Sequence, residues 1–309
     1  MNFRDLNYFV KTAELNHFGK AANACFVSQP TLSMQLKKLE DTLGVKLFER
    51  DNKHVKLTRQ GGVLLTQAKT ILLEADHLKK LALNFNDPFA LEFHLGVFPT
   101  IAPYLLPTIT PHIKAMLPKL SLFYSEEKTD TLVAALEEGS LDAIIVALPI
   151  KSDKLITTPL FTDPFMVALP KNHPLTYKKQ IEMHDLDVSE LLLLEEGHCL
   201  RGQALDICHQ RPKEAENSFT ATSLSTLTQM VSLGHGITLV PTIAIKAVQS
   251  SSIVFRPFRA PTPARQIVLA YRRHHSSIAC CKKVAELIIQ SFSSDENENK
   301  VMKGRVQMR

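Results

Sequence analysis

Short apolar strands alternate with helical segments through the second part of the chain, and this alternation constrains the fold more than any other feature. Residues 91–148 predict the order strand, helix, strand, helix, strand, and a similar order returns over 165–241. A final strand and helix follow near 266–292. Strands alternating with helices of this kind are typical of a parallel sheet covered by helices. The pattern predicts two α/β lobes, joined by crossing strands near 162–167 and 265–268, with a ligand cleft between the lobes.

A pair of short helices is predicted near the N-terminus. The pair follows a helix over residues 4–14. Its first member is a short helix around Ala21, Ala22 and Ala24, and its second member covers 29–40, with Ser28 as its N-cap and Pro30 in its first turn. Leucines at spacings of four and three give the second helix a buried face. Its other face carries short polar and basic side chains, namely Gln29, Thr31, Ser33, Gln35, Lys37 and Lys38. Such side chains suit a helix that reads base edges and contacts phosphates, although an ordinary amphipathic helix pair gives the same pattern.

A charged turn follows this helix pair. Apolar and polar residues alternate at 45–48 and at 54–57, on either side of residues 50–53. This pattern predicts a β-hairpin whose Arg50 and Lys53 lie along a phosphate backbone. Residues 1–87 contain 13 basic and 9 acidic residues, a net charge of +4, and the whole chain has a net charge of +5. The basic head therefore favours nucleic-acid binding.

One long helix is predicted from Thr58 to about Leu83. Its apolar residues recur at alternating spacings of four and three, which is a heptad seam. We name this set the seam: Leu64, Ala68, Ile71, Ala75, Leu78 and Ala82. A seam of this type predicts dimerisation through the helix, and the alternative is packing against the chain's own body.

Two cysteines, Cys199 and Cys208, are separated by nine positions in the second lobe. His198 and Arg201 flank the first thiol and offer positive charge to its thiolate, which is the reactive form. A second thiol nearby can trap an oxidised first thiol as a disulfide. If the segment is helical, its ends lie about 13.5 Å apart, whereas a disulfide needs Cα atoms within about 7 Å. Without further context, such a pair is more often two core residues.

Composition and motif content argue against several other classes of protein. Five cysteines, an odd number, argue against a disulfide framework, and we expect Cys25, Cys280 and Cys281 to serve packing in a reducing cytoplasm. The sequence has no apolar run of bilayer length and has acids in its first apolar stretch. No zinc-ligand spacing of histidines, phosphate-binding glycine loop or paired-carboxylate motif occurs, so we expect neither metal, cofactor nor enzymatic activity.

The head carries a family resemblance. The stretch AANACFVSQPTLSMQLKKLEDTLGVKLFER, followed by LTRQG, resembles the winged helix-turn-helix of LysR-type transcriptional regulators. The resemblance implies an α+β chain with a winged head, a linker helix and a two-lobed α/β effector domain similar to periplasmic binding proteins. On this basis we assign the head to 1–58, the linker to 59–87 and the effector domain to 88–295. Lobe I comprises 88–161 and 268–295, lobe II comprises 162–267, and 296–309 is expected to be a disordered tail.

The body resembles the peroxide-sensing members of that family. The resemblance rests on GVFPTIAPYLLP, LLLLEEGHCLRGQALDIC and FTATSLSTLTQMVSLGHGITLVP. It implies that Cys199 is the peroxidatic cysteine and Cys208 the resolving one. It also implies a peroxide pocket formed by Thr100, Thr129, His198 and Arg265. The chain departs from the pattern in having Gly202 in place of an acid and Ala264 in place of the first of two paired arginines.

We therefore expect a transcriptional regulator, activator or repressor, in which peroxide forms a reversible Cys199–Cys208 disulfide. Its expected partners are promoter DNA, hydrogen peroxide, a second copy in a homodimer or homotetramer, and RNA polymerase. One alternative is a LysR-type regulator that binds a small organic effector in the lobe cleft. The other is a thiol peroxidase, which would leave the DNA-binding head unexplained.

Overall fold

The structure is a computed structural model that describes residues 1–50, 55–84, 87–208 and 219–306, with the side chains of 50, 77, 80, 81, 83, 84, 208 and 293–306 excepted. The chain divides into two compact units, Met1–Phe85 and Asn86–Arg309. No helix within the described ranges is long and apolar enough to cross a membrane.

The first unit follows the predicted order of helices and a hairpin. Its elements are α1 (Phe3–Leu15), α2 (Phe18–Ala24), α3 (Gln29–Leu43), β1 (Phe48–Arg50), β2 (Val55–Leu57) and α4 (Arg59–Asn84). Side chains cap the N-termini of the first three helices. Asn2 caps α1, the His17 ring caps α2, and Ser28 Oγ accepts a hydrogen bond from the Thr31 N–H at 3.3 Å to cap α3. Lys53, a predicted phosphate contact, lies outside the described residues.

A small hydrophobic core holds the first unit together. Leu32, Leu36 and Leu39 of α3 are buried, and the ring of Phe9 packs edge-on against that of Phe48. Glu40 is also buried, and its carboxylate accepts from the N–H groups of Leu47 and Phe48. Burial raises the pKa of Glu40, but these hydrogen bonds and Lys46 outweigh it and leave the pKa below its usual value. The ionised carboxylate thereby ties α3 to the start of β1.

The seam divides into two parts along α4. Ala68 is buried, and Leu64 and Ile71 are half-buried against the core of the first unit. Farther along the helix Ala75 is half-buried, but Leu78 is 70% exposed. The first part of the seam therefore packs against the chain itself, because α1 lies against this end of α4. The second part remains available to a partner.

The second unit contains a seven-stranded sheet and a two-stranded one. Its strands are β3 (Glu92–Val97), β4 (Ser121–Glu126), β5 (Ala143–Ala147), β6 (Leu155–Pro170), β7 (Leu193–Leu194), β8 (Thr220–Ala221), β9 (Thr238–Pro241), β10 (Ile253–Pro257) and β11 (Ala264–Arg272). Its helices are α5 (Ala102–Met116), α6 (Thr129–Glu137), α7 (Cys199–Cys208), α8 (Leu224–Ser232), α9 (Ile245–Val248) and α10 (Ile278–Val306).

The large sheet is mixed, whereas the sequence predicts a parallel one. Its order is β10-β6-β11-β5-β3-β4, with β9 also paired to β6. Only β3 pairs in parallel with its neighbours β4 and β5, while β6 pairs antiparallel with β9, β10 and β11. The sequence predicts strand only from about residue 162, yet β6 begins at Leu155. Pro159 accounts for the difference, because proline weakens a strand pattern, and Pro159 lies at a bulge in the β6–β11 pairing.

Two hydrophobic cores divide the second unit into lobes. One core comprises buried residues between Phe93 and Leu160 and between Ile267 and Ile288. The other comprises buried residues between Phe165 and Phe258. The long strands β6 and β11 run through both lobes, so the sheet connects them continuously.

The remaining cysteines differ in burial. Cys280 and Cys281 are fully buried in the first core, and burial, with a smaller contribution from Asp142, raises the pKa of Cys280 to about 12. Cys25 is half-buried and packs against the core of the first unit, in agreement with the expected packing role. At the C-terminus, α10 ends at Val306. The disordered tail expected over 296–309 stays a prediction.

Two adjacent glycines in α4 give a matched stability test. A Cβ at Gly61 would overlap the Leu47 carbonyl oxygen, whereas a Cβ at Gly62 would meet nothing within 4 Å. We expect Gly61→Ala to destabilise the first unit by about 1–3 kcal/mol, since backbone must move to relieve the overlap. Gly62→Ala should stabilise it by up to about 1 kcal/mol, because alanine favours helix. Hydrogen exchange of the α3 amides in the full-length protein measures both; equal effects would contradict the packing described.

Candidate functional site

Helix α7 carries one cysteine at each end. It runs Cys199–Cys208, so the conditional prediction of a helix between the two cysteines is confirmed. Nine helical steps separate the two Cα atoms by about 13.5 Å, roughly twice the reach of a disulfide. Cys199 is a free thiol in this structure, and the Cys208 side chain lies outside the described residues. A bond between the two sulfurs therefore requires α7 to unwind.

Cys199 lies where the two lobes meet. It belongs to the helix whose Leu200 and Ala204 are buried in the lobe II core. Its own side chain is half-buried and packs against the lobe I core instead. Movement of Cys199 out of this position would therefore remove a contact between the lobes.

A buried arginine is the principal charged group beside this thiol. Arg265 of β11 is fully buried, and its Nε and Nη2 donate to Asp163 Oδ2 at 3.0 and 2.9 Å. The two residues are direct cross-strand partners, because β6 and β11 place Asp163 opposite Arg265. Arg265 Nη1 also donates to Thr100 Oγ1 at 2.8 Å, and the rings of Phe98 and Phe165 lie 5.1 and 5.9 Å from the guanidinium.

The pKa of Cys199 is the result of opposing effects. Burial raises it above its ordinary value and is the largest effect. The Arg265 guanidinium, the Thr100 hydroxyl, the Leu200 N–H and the Thr129 hydroxyl each lower it, but together they do not offset burial. The thiol is therefore mainly protonated at neutral pH, with a cation and hydrogen-bond donors beside the sulfur that stabilise a thiolate when one forms.

The cations that the sequence suggested for this thiol act elsewhere. Arg201 Nη1 donates to the Leu194 carbonyl at 3.0 Å. Burial, and then the charge of Lys128, lower the pKa of His198, and Glu195 only partly compensates. His198 is therefore neutral at pH 7, and Arg265, distant in sequence, supplies the positive charge.

Four polar side-chain atoms are buried without a hydrogen-bond partner among the described residues. Two of them belong to the predicted peroxide pocket, namely Thr129 Oγ1 and His198 Nδ1. Thr129 lies close enough to the sulfur to lower its pKa, yet it makes no hydrogen bond of normal geometry with it. Buried polar groups are costly when unpaired. A small molecule with both hydrogen-bond donors and acceptors would satisfy them.

An ion pair between the lobes, which we name the Lys128 bridge, is not evident in the sequence. Lys128, just before α6, donates from Nζ to Glu195 Oε1 at 2.6 Å and to the Glu196 carbonyl at 3.0 Å. Gly197 follows with φ of +87°, and a Cβ there would lie 3.0 Å from the Lys128 side chain. The bridge thus restrains the segment that leads into Cys199. Neither Lys128 nor Asp163 belongs to a local motif, so only the tertiary structure identifies them.

The polar face of α3 is largely accessible. Ser28, Gln29, Pro30, Lys37 and Lys38 are exposed, and Thr31, Ser33 and Gln35 are half-buried. Ser28 Oγ lies 2.8 Å from Thr31 Oγ1, so these two hydroxyls are engaged with each other. Arg50 ends β1, and its side chain lies outside the described residues.

Both units match known families. Residues 3–62 match the family described as bacterial regulatory helix-turn-helix protein, lysR family. Residues 87–293 match the family described as LysR substrate binding domain.

Curated relatives are similar along nearly the whole chain. The DNA-binding transcriptional dual regulator OxyR of Escherichia coli (strain K12) is 41% identical over 307 residues, which cover 99% of this chain and 100% of the relative. The hydrogen peroxide-inducible genes activator of Haemophilus influenzae is 41% identical over 273 residues, which cover 88% of this chain and 91% of the relative.

Solved structures are similar as well. Full-length OxyR C199D from Pseudomonas aeruginosa has a TM-score of 0.77 and 38% identity, covering 93% of this chain and 94% of that one. The oxidized form of OxyR has a TM-score of 0.60 and 38% identity, covering 67% of this chain and 98% of that one.

The raised pKa of Cys199 predicts the pH dependence of its reactivity. Because the thiolate is the nucleophile and the thiol predominates below its pKa, alkylation by a neutral reagent such as iodoacetamide should accelerate about tenfold per pH unit between about pH 6 and pH 8. Mass spectrometry of the peptide containing Cys199 measures the rate. A rate that levels off below pH 7 would mean a lowered pKa and contradict the prediction.

The Lys128 bridge predicts an effect on disulfide formation. Lys128→Met removes a restraint on the Cys199 end of α7, so a mild thiol oxidant should form the Cys199–Cys208 disulfide up to about fivefold faster, the range for a partly exposed ion pair. Quenched-flow mass spectrometry gives the rate. Lys154→Met is the matched control, because Lys154 pairs with Glu137 inside lobe I. Equal rates in the two variants would show that the bridge does not restrain α7.

Proposed function

The chain belongs to the LysR family of transcriptional regulators, and from this we propose that it is a DNA-binding regulator that senses hydrogen peroxide through Cys199. The observation that carries the proposal is the position of Cys199 at one end of α7, between the lobes and beside Arg265 and Thr100. Relatives named as hydrogen peroxide-inducible genes activators match most of the chain, which supports the choice of oxidant.

The first chemical step oxidises Cys199. Its sulfur attacks one peroxide oxygen, so a sulfur–oxygen bond forms and the oxygen–oxygen bond breaks. The sulfur loses two electrons, the thiol proton goes to the leaving oxygen, and the products are a sulfenic acid and water. Arg265 stabilises the thiolate during the attack. The unpaired atoms of Thr129 and His198, together with the Thr100 hydroxyl, are the groups we assign to holding the peroxide.

The second step joins the two cysteines. The Cys208 sulfur attacks the Cys199 sulfenic acid, so a sulfur–sulfur bond forms and the sulfur–oxygen bond breaks. The hydroxyl takes the proton of the Cys208 thiol and leaves as water. Since the intact helix separates the cysteines by about 13.5 Å, this step needs α7 to unwind. Unwinding withdraws Cys199 from the lobe I core and releases the Lys128 bridge. Formation of the disulfide thereby changes how the two lobes pack against each other.

DNA binding and assembly complete the proposal. We assign the exposed face of α3, with Arg50 and Lys53, to promoter DNA. We assign the seam to dimerisation: the exposed Leu78 supports this for its second part, which includes Ala75, whereas Leu64, Ala68 and Ile71 also serve packing within the chain. In this account the protein acts in the cytoplasm as a homodimer or homotetramer, and a change in lobe packing alters the spacing of its heads on DNA and their contact with RNA polymerase.

Cysteine substitutions test the sensing mechanism. Cys199→Ser should abolish the change in promoter output caused by peroxide, because no sulfenic acid can form. Cys208→Ser should still form the sulfenic acid at Cys199, trapped with dimedone, but should lose the disulfide. Cys25→Ala is the control and should respond like the unaltered protein, since Cys25 lies in the head. A full response of promoter output in Cys199→Ser would refute sensing through this thiol.

A further inference from the structure

The exposed face of α3 has an apolar side chain at its centre. Leu32 and Leu36 are fully buried, and Met34 lies two positions from each of them. Two helical positions correspond to about 200° of rotation, so Met34 points directly away from the core. Its side chain is accordingly 61% exposed.

Charged residues follow this methionine along the exposed face of α3. On the same face, Lys37 and Lys38 are exposed one turn later, and Asp41 is exposed two turns later. Pro30 is exposed one turn earlier. Met34 is therefore an unbranched, polarisable apolar side chain that lies between Pro30 and a charged part of the exposed helix surface.

Charge decides which partner this surface fits. Two adjacent lysines beside Met34 attract phosphates, and they would repel the same surface of a second copy of the chain. An α-helix fits the major groove of B-form DNA, where the exposed apolar group on a base edge is the C5-methyl of thymine. A helix that presents a central apolar side chain flanked by lysines thus matches a thymine edge flanked by phosphates.

We propose that Met34 contacts the C5-methyl group of a thymine in each half-site and is a specificity-determining residue of the protein. The proposal rests on the proposed DNA-binding function and adds a base preference to it. Lys37 and Lys38 contribute affinity for any sequence, because phosphates are the same along the duplex. Met34 contributes discrimination, because a cytosine at this position offers no methyl group.

Methyl deletion in the DNA tests the contact. Full-length protein first selects its preferred duplexes from a randomised pool. Each thymine of a selected duplex is then replaced by deoxyuridine, which removes only the C5-methyl. At one thymine per half-site, the replacement should weaken binding of the unaltered protein about fourfold, the factor for one buried methyl group. Met34→Ala should bind the thymine and deoxyuridine duplexes equally well.

Further variants separate this contact from general effects on the head. Met34→Leu keeps an apolar side chain and should retain most of the discrimination. Met116→Ala replaces an exposed methionine of the second unit and should leave the discrimination unchanged. A cytosine at the same thymine position should weaken binding, and 5-methylcytosine should restore part of the loss.

The outcomes are distinct. If every deoxyuridine replacement affects the unaltered protein and Met34→Ala to the same extent, the Met34 proposal is overturned while DNA binding stands. If the full-length protein selects no duplex sequence at all, the proposed DNA-binding function fails, and the Met34 proposal with it.

Discussion

The buried ion pair between Arg265 and Asp163 is the interaction on which the second unit depends. Arg265 sits on β11, pairs with Asp163 of β6 and donates to Thr100 beyond β3, so one guanidinium connects three segments at the meeting of the lobes. A charge so deeply buried is stable only while its partners remain, and loss of one partner of such a pair typically costs about 3–5 kcal/mol. The same cation faces Cys199 and opposes the effect of burial on its pKa.

The geometry of α7 converts a chemical change into a structural one. A ten-residue helix with cysteines at its ends holds the two sulfurs apart, so the reduced state and the disulfide cannot share one backbone conformation. Cys199 packs on lobe I while the rest of α7 packs on lobe II. The change that brings the sulfurs together therefore also separates surfaces that the lobes share.

Much of the fold follows from the sequence. Capping residues, leucine spacing and the strand–helix alternation predict α1, α3, α4 and the lobes, and the fold class of a winged head, linker helix and two-lobed effector domain is confirmed. The predicted parallel sheet is wrong in part. Pro159 weakens the strand pattern at the start of β6, and the antiparallel partners of β6 are distant in the chain. Residue patterns show which positions are buried along one element but carry little information on pairing between remote strands.

The site was less predictable than the fold. Family resemblance points to Thr100, Thr129, His198 and Arg265, and all of these except His198 act on the pKa of the Cys199 thiol. Local sequence suggests His198 and Arg201 as its cations, but one is neutral and the other donates to a backbone carbonyl. The sequence does not identify Asp163 and Lys128 as site residues, because their partners are 102 and 67 positions away. Long-range charge pairs depend on how elements pack, which a single sequence does not specify.

Hydrogen exchange of residues 199–208 before and after a brief peroxide pulse, combined with mass analysis of the same peptide, tests the central claim most directly. The account predicts slow exchange while both thiols are reduced and rapid exchange once the Cys199–Cys208 disulfide has formed, since the helix must unwind to form that bond. A disulfide that forms in peptides whose slow exchange is unchanged would contradict it.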